Sequence, residues 1–332
     1  MIQDLGVMAS AVLAFAGAAL GVALLAAVLL PAAQRAIRPL PPDAQARMLL
    51  ILACAPALAG LYLLSVALMP SLAHILGLAV DHCQGHGHHG HFCPIHSPLW
   101  SGGVLERLIL LMGGVYILLL VGGLSVRLHR VARVVRLLEI ARLPALGDGP
   151  YRAVESAGPV ALTAGLLRPR IYLSSGLVNA LSPVELDAVV AHEQAHRRRR
   201  DPLRVLVADV LSRLHLPPIR RRLLGELILT TERTCDERAA LVCGDRCGAA
   251  AAILKVARLN GARPVPSEAL LPAVTGADLA ARVEALLRPA HPVRGRQGLI
   301  VALGMALILS LGWVHSDRLH HAVESALHLL MD

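Results

Sequence analysis

His192-Glu193-Gln194-Ala195-His196 decides how this chain is read. On a helix, positions i and i+4 lie one above the other, so both imidazoles share a face. Two imidazoles so placed can grip one Zn²⁺, and Glu193 between them can serve as a general base. The helix is legible from its start. Ser182-Pro183-Val184-Glu185 is a capping box with proline at the first helical position. Leu186, Val189 and Val190 follow as an apolar stripe, so the pattern predicts a helix from Pro183 to the arginines after His196. Asp201-Pro202 repeats the start signal, and Asp201 is expected to cap the next helix. The chemistry expected is that of a zinc-dependent metalloendopeptidase with Glu193 as its catalytic base.

A hydrolytic zinc site uses three protein ligands and keeps a fourth position for solvent. Glu232 is the best third candidate beside His192 and His196. It opens Glu232-Arg233-Thr234-Cys235-Asp236, within a helical pattern begun by Pro217-Pro218. Glu232 and Asp236 are four apart, so one carboxylate can bind metal while the other accepts the free ring N–H of a histidine. Glu226 and Glu237 are rivals, but neither has an acid four residues on. Cys235 points elsewhere on the helix. The four arginines 197–200 suggest a solvated, interfacial face.

Around this motif the chain is built for a bilayer. Hydrophobic residues make up 55% of it, and its mean hydropathy is +0.61. A crossing takes about 20 apolar residues, and four segments qualify, at about 5–30, 48–69, 108–126 and 298–314. The first is followed by arginines and lacks a convincing small-residue cleavage site, so it is expected to be an uncleaved anchor. Of 32 Lys and Arg, 27 lie in 127–296 and three more (Arg35, Arg38, Arg47) between the first two segments. By the positive-inside rule these regions face the cytoplasm of a bacterial inner membrane, and the second loop and C-terminal tail face outward. The net charge of +9 is then a topology and lipid-surface signal. A nucleic-acid partner is not expected, because no reading motif and almost no aromatic residues accompany the arginines.

The run Gly165-Leu-Leu-Arg-Pro-Arg-Ile-Tyr-Leu173, then 181–186, 192–201 and Glu232-Arg-Thr-Cys-Asp236, resembles the integral-membrane metallopeptidases of the β-lactam sensor-transducers, the BlaR/MecR type. The likeness extends over about residues 1–315. It implies that His192, His196 and Glu232 are Zn²⁺ ligands, Glu193 the base and Asp236 the residue orienting a ligand ring. It also implies a gluzincin-like fold, in which an edge strand ahead of the zinc helix binds the substrate backbone. That strand is either 160–164 or its hairpin partner 171–173. The expected architecture is a mainly α membrane protein of four transmembrane helices, with an α+β zinc peptidase domain inserted between spans three and four. Residues 1–126 form a three-span bundle, 127–297 the cytoplasmic peptidase, 298–314 the fourth span and 315–332 a short outer tail. Within 127–297 the patterns predict a basic helix to 143, a hairpin at 159–175, an apolar helix at 201–216 on the bilayer or the bundle, and an amphipathic helix at 277–287. The receptors of this type carry a penicillin-binding domain after the last span. Eighteen residues leave no room for one, so β-lactam sensing is not expected here. The family implies proteolysis of the chain itself or of a cytoplasmic regulator such as a transcriptional repressor. Two rival functions use the same residues: membrane-protein quality control, and a receptor that holds a partner on the zinc domain without cutting it.

The loop 81–98 is the other unusual stretch. It holds His82, Cys83, His86, His88, His89, His91, Cys93 and His96 within sixteen residues. Imidazole and thiolate suit Zn, Cu or Ni, and glycines let a loop wrap an ion. The tail adds His315, His320, His321 and His328, of which His321 and His328 align with Glu324 if helical. The plainer alternative is a low-complexity loop closed by a Cys83–Cys93 disulfide in an oxidising compartment. Metal sensing predicts that a peptide spanning 81–96 binds Zn²⁺, Cu²⁺ or Ni²⁺ in calorimetric titration. Binding no tighter than about millimolar, an affinity of only about 4 kcal/mol, would remove that idea.

Overall fold

The computed structural model describes residues 2–78, 103–143, 149–261, 276–288, 310–311 and 313–329. Its N-terminal part consists of three long helices: α1 (Ile2–Ile37), α2 (Pro42–Ile75) and α3 (Val104–Ile140). Each contains a stretch long and apolar enough to cross a membrane, at Met8–Ile37, Pro42–Ile75 and Arg107–Ile140. The helices outrun the apolar segments that announce them. With 37 residues, α3 is about 55 Å long against a hydrocarbon core of roughly 30 Å. The basic helix expected at 127–143 is thus the continuation of the third span. Leu111, Met112, Leu118 and Leu119 stand well exposed along α3, the kind of apolar surface that marks contact with lipid. The fourth expected span lies outside the described residues except for 310–311 and 313–314. The histidine-rich loop lies wholly outside them.

The segment after α3 begins with a three-stranded sheet of β1 (Arg152–Val154), β2 (Ala161–Ala164) and β3 (Arg170–Ser174), in the order β1-β3-β2. β2 and β3 form the expected hairpin, antiparallel with Leu162 opposite Tyr172. Gly165 takes φ +103° at its turn, a conformation open to glycine and strained for other residues. β1 joins β3 in parallel. Its three residues are too few for an alternating pattern to reveal. Because β3 is interior, residues 171–173 are not an edge, and β2 alone of the two candidates for substrate binding lies at one.

Helices α4 (Ser175–Ala180), α5 (Pro183–Arg199), α6 (Asp201–Leu211), α7 (Pro217–Cys243), α8 (Arg246–Asn260), α9 (Gly276–Leu287) and α10 (Ser316–Leu329) complete the described chain. The capping box that starts α5 is formed in both directions, with the Ser182 N–H donating to Glu185 at 2.7 Å. One core joins Ile171 and Leu173 of β3, Leu177 of α4, and Val189 and Val190 of α5. The other face of the sheet packs Val154, Leu162 and Tyr172 against Val135 and Leu138 of α3. At that joint Glu139 of α3 accepts hydrogen bonds from Tyr172, Arg152 and Arg170.

A third core fastens α6 and α7 to the long helices. Leu30 of α1 and Ala46, Leu49 and Ala53 of α2 meet Ala208 of α6 and Leu223, Leu224 and Leu227 of α7. The apolar α6 stretch therefore docks on the bundle. His215, just past it, places Nε2 3.0 Å from the Leu52 carbonyl. The other half of α2 receives the tail. Val323 of α10 packs with Ala14 and Ala67, and His320 is buried with Nδ1 2.6 Å from the Ala67 carbonyl. Leu223 is fully buried at the joint. Leu223→Ala is expected to lower stability by about 2–5 kcal/mol, read as an earlier thermal unfolding transition in detergent.

Candidate metal centre

α5 and α7 cross so that two four-residue spacings meet in opposite directions. His192 lies against Asp236 and Glu232, and His196, one turn on, against Glu232. The two Nε2 atoms are 3.1 Å apart. Glu232 Oε2 is 3.5 Å from His192 Nε2 and Glu232 Oε1 is 3.5 Å from His196 Nε2. Ligands bound at about 2.0–2.1 Å to one tetrahedral zinc ion stand about 3.3–3.4 Å apart. The Nε2–Nε2 separation and the nearest Nε2–oxygen separations lie near that edge length, with the two histidines facing different Glu232 oxygens, and one ligand atom from each of the three residues lies within 4.8 Å of the others. Two imidazoles with one carboxylate are a donor set suited to zinc. The residues present therefore fit the cation that the sequence implies. Of the rivals for the third position, Glu237 is held by Arg246 at 2.7 Å. Glu226 is not in the His192–His196–Glu232 group either.

Each ring is backed by a carboxylate through its other nitrogen. Asp236 Oδ1 lies 3.0 Å from His192 Nδ1, without the alignment of a full hydrogen bond. Asp201 Oδ2 lies 3.0 Å from His196 Nδ1. The latter corrects the sequence expectation, in which Asp201 is a helix cap. Arg200 takes the left-handed conformation, φ 53°, between α5 and α6. That single reversal folds the fifth residue after His196 back over its ring, which a continuous helix would not do. The Asp201 carboxylate is spent on His196, Arg199 and Arg204. The arginine run also needs correction. Arg199 is not a solvated side chain: it is largely buried, 3.2 Å from Asp201 and 3.1 Å from Asp43 of α2.

Glu193 lies between the ligand candidates in sequence, on the turn of α5 that faces the sheet. It is buried, and Thr163 of β2 stands 2.7 Å from its Oε2 and 3.0 Å from its carbonyl oxygen. The position between the histidines is thereby tied to the exposed edge strand. Cys235 is buried beside Asp201. It forms a second group with His196 and Asp201, and burial, then the Asp201 and Glu232 charges, push its thiol well above the usual range.

The residue that sequence reasoning missed altogether is Arg282 of α9. Its Nε and Nη2 donate to the two oxygens of Asp236 at 2.8 and 2.7 Å, and its Nη1 lies 2.9 Å from Glu232 Oε2. It stands 46 residues beyond Asp236. The available hint was chemical: two acids four apart on a buried face call for a cation. Burial works against ionised Glu232, but Arg282 and the two histidines hold its carboxyl well below the usual range. Burial would also lower His192, yet Asp236 and Glu232 outweigh it and raise the imidazole to about 10.

Residues 157–286 match the family model described as BlaR1 peptidase M56. This chain carries a peptidase segment of the BlaR/MecR type. The M56 match runs from ahead of β2 into α9 and so includes Thr163, both histidines, Glu193, Glu232, Asp236 and Arg282. The family is one of membrane-associated metallopeptidases, in keeping with the three long apolar helices. No solved structure matches the chain.

Without metal, a raised His192 contributes stability that is complete below its ordinary value of 6.5 and lost as pH rises through about 10. A cation must displace that proton. The apparent Zn²⁺ affinity of the M56 segment is therefore expected to increase with pH from about 6.5 toward about 10, with proton release. Chelator competition at a series of pH values, in buffers of different ionisation heat, measures both.

Proposed function

We propose that the chain is a membrane-embedded zinc metalloendopeptidase of transmembrane signalling. It cleaves itself or a cytoplasmic regulator, such as a transcriptional repressor. The observation that carries the reading is the convergence of His192 Nε2, His196 Nε2 and a Glu232 oxygen, each ring backed by its own aspartate. Bound to these three side chains, Zn²⁺ would polarise the scissile carbonyl and acidify water.

The protein's own groups supply the rest. Glu193 takes the proton of the attacking water and returns it to the leaving amine. Thr163 keeps the Glu193 carboxylate turned toward β2, 2.7 Å from its hydroxyl. Substrate adds to the free edge of β2 as another strand, so main-chain hydrogen bonds bring the scissile bond to Glu193. Asp236 and Asp201 hold the rings of His192 and His196 with their Nε2 atoms convergent.

The concentration of arginine in 127–296 supports a cytoplasmic peptidase on a bacterial inner membrane. The histidines of 81–98 then lie on the other side, where an extracytoplasmic metal is the stimulus best suited to them.

The chain purified in detergent should contain one zinc ion per polypeptide. Glu232→Ala should lose it. Glu193→Gln should keep zinc and lose hydrolysis by roughly a hundred- to ten-thousand-fold. Signalling that persists in Glu193→Gln would favour a receptor that does not cut. Zinc-free wild-type protein would end the proposal.

A further inference from the structure

Glu232 and Asp236 bring two carboxylates into one buried site. Both side chains are almost entirely removed from solvent. Asp236 lies against His192 Nδ1, and Glu232 is shared between two imidazoles. Two anions one helical turn apart in a buried site repel each other and are costly to desolvate. Arg282 answers both acids with one planar group. Its fork takes the two oxygens of Asp236, and its remaining nitrogen reaches Glu232 Oε2, so the three contacts at 2.7–2.9 Å fix the relative position of the carboxylates.

The asymmetry at Glu232 is the informative part. Each oxygen has one imidazole at 3.5 Å (His192 Nε2 at Oε2, His196 Nε2 at Oε1), but among the described residues Arg282 Nη1 reaches Oε2, at 2.9 Å. A carboxylate engaged in this way presents one oxygen to a cation. α9, the element that brings Arg282, is itself pinned. Arg246 donates to the Leu286 carbonyl at 2.8 Å and to the Ala285 carbonyl at 3.2 Å, while pairing with Glu237 of α7.

We infer that Arg282 is a positioning residue for the metal site. By occupying Glu232 Oε2 and locking Asp236, it keeps Glu232 a one-oxygen ligand and leaves a coordination position for the reacting water. This inference rests on the zinc peptidase reading. Losing the guanidinium frees Oε2 to approach the ion as a second donor from the same side chain. It also strips a positive charge from beside the ligand, so metal retention is expected while coordination changes. An arginine that serves only to stabilise the fold would alter neither in a folded variant.

The test uses Co²⁺ in place of zinc in the full chain, because four-coordinate Co²⁺ absorbs visible light much more strongly than five-coordinate Co²⁺. Wild type should bind one Co²⁺ with a strong, four-coordinate visible band. Arg282→Met should still bind one, with a weakened band, and with zinc should lose roughly 10–100-fold in turnover of casein. Arg282→Lys keeps the charge but not the fork, and should weaken the band in the same direction; it also decides the question if Arg282→Met does not fold. A folded variant with the wild-type spectrum, or one that binds no metal, overturns the inference alone. Wild type that binds no Co²⁺ overturns the zinc reading, and this inference with it.

Discussion

The antiparallel meeting of α5 and α7 is the constraint on which the rest depends. Each helix carries two polar side chains four residues apart: His192 and His196 on one, Glu232 and Asp236 on the other. Burying all four between helices costs free energy unless they satisfy one another. They do so in register, with Glu232 serving both histidines and Asp236 the nearer one. Ala195 of α5 and Ala239 of α7 are buried as well, and Ala240 packs with Ala249, Ala250 and Leu286 on the α8 and α9 side of α7.

Charge closes the arrangement from outside the helix pair. Arg282 arrives from α9 to neutralise the α7 carboxylates, and Arg199 and Arg204 flank Asp201. Removing one member of such a buried set leaves an uncompensated charge, which costs more than the pair contributes in net stability. The site is thus also an organiser of the fold, since α5, α6, α7 and α9 each contribute a charged or polar group to it.

What was legible in the sequence follows from how local the signal is. The capping box at Ser182, the proline starts of α6 and α7, and the four-residue spacings are short-range patterns with direct physical meaning, and the helices formed as expected. β1 was not legible, because three residues paired in parallel to β3 carry no period of their own. Asp201 was misassigned for a related reason. Asp-Pro is a sound helix start, and α6 does begin there, but one left-handed residue at Arg200 redirected the side chain to His196. Arg282 and Thr163 reach the site over separations of 46 and 30 residues. Such contacts become visible only when α9 and β2 are packed against it. The span pattern located α1, α2 and α3, and the basic periodic stretch read as a helix at 127–143 is the part of α3 that runs on past the apolar segment; what hydropathy did not mark is that the two form one unbroken helix.

The site is also physically continuous with the membrane helices, and the strengths of the links can be ranked. A line of ion pairs leads from Asp43 at the start of α2 to Arg199 at 3.1 Å, from Arg199 to Asp201 at 3.2 Å, and from Asp201 to His196 at 3.0 Å. The first link is the weak one. Asp43 is 47% exposed, and a pair open to water contributes about 0–1 kcal/mol. The inner links are buried and short, so the ring of His196 follows Asp201 closely. What holds α2 to α6 and α7 is the apolar joint of Leu49, Ala53, Ala208 and Leu223, where each large side chain removed from water is worth roughly 1.5–3 kcal/mol. Position is therefore set by apolar packing and orientation by charge. The helices that α2 meets at this joint, α6 and α7, are also the two that carry Asp201, Glu232 and Asp236.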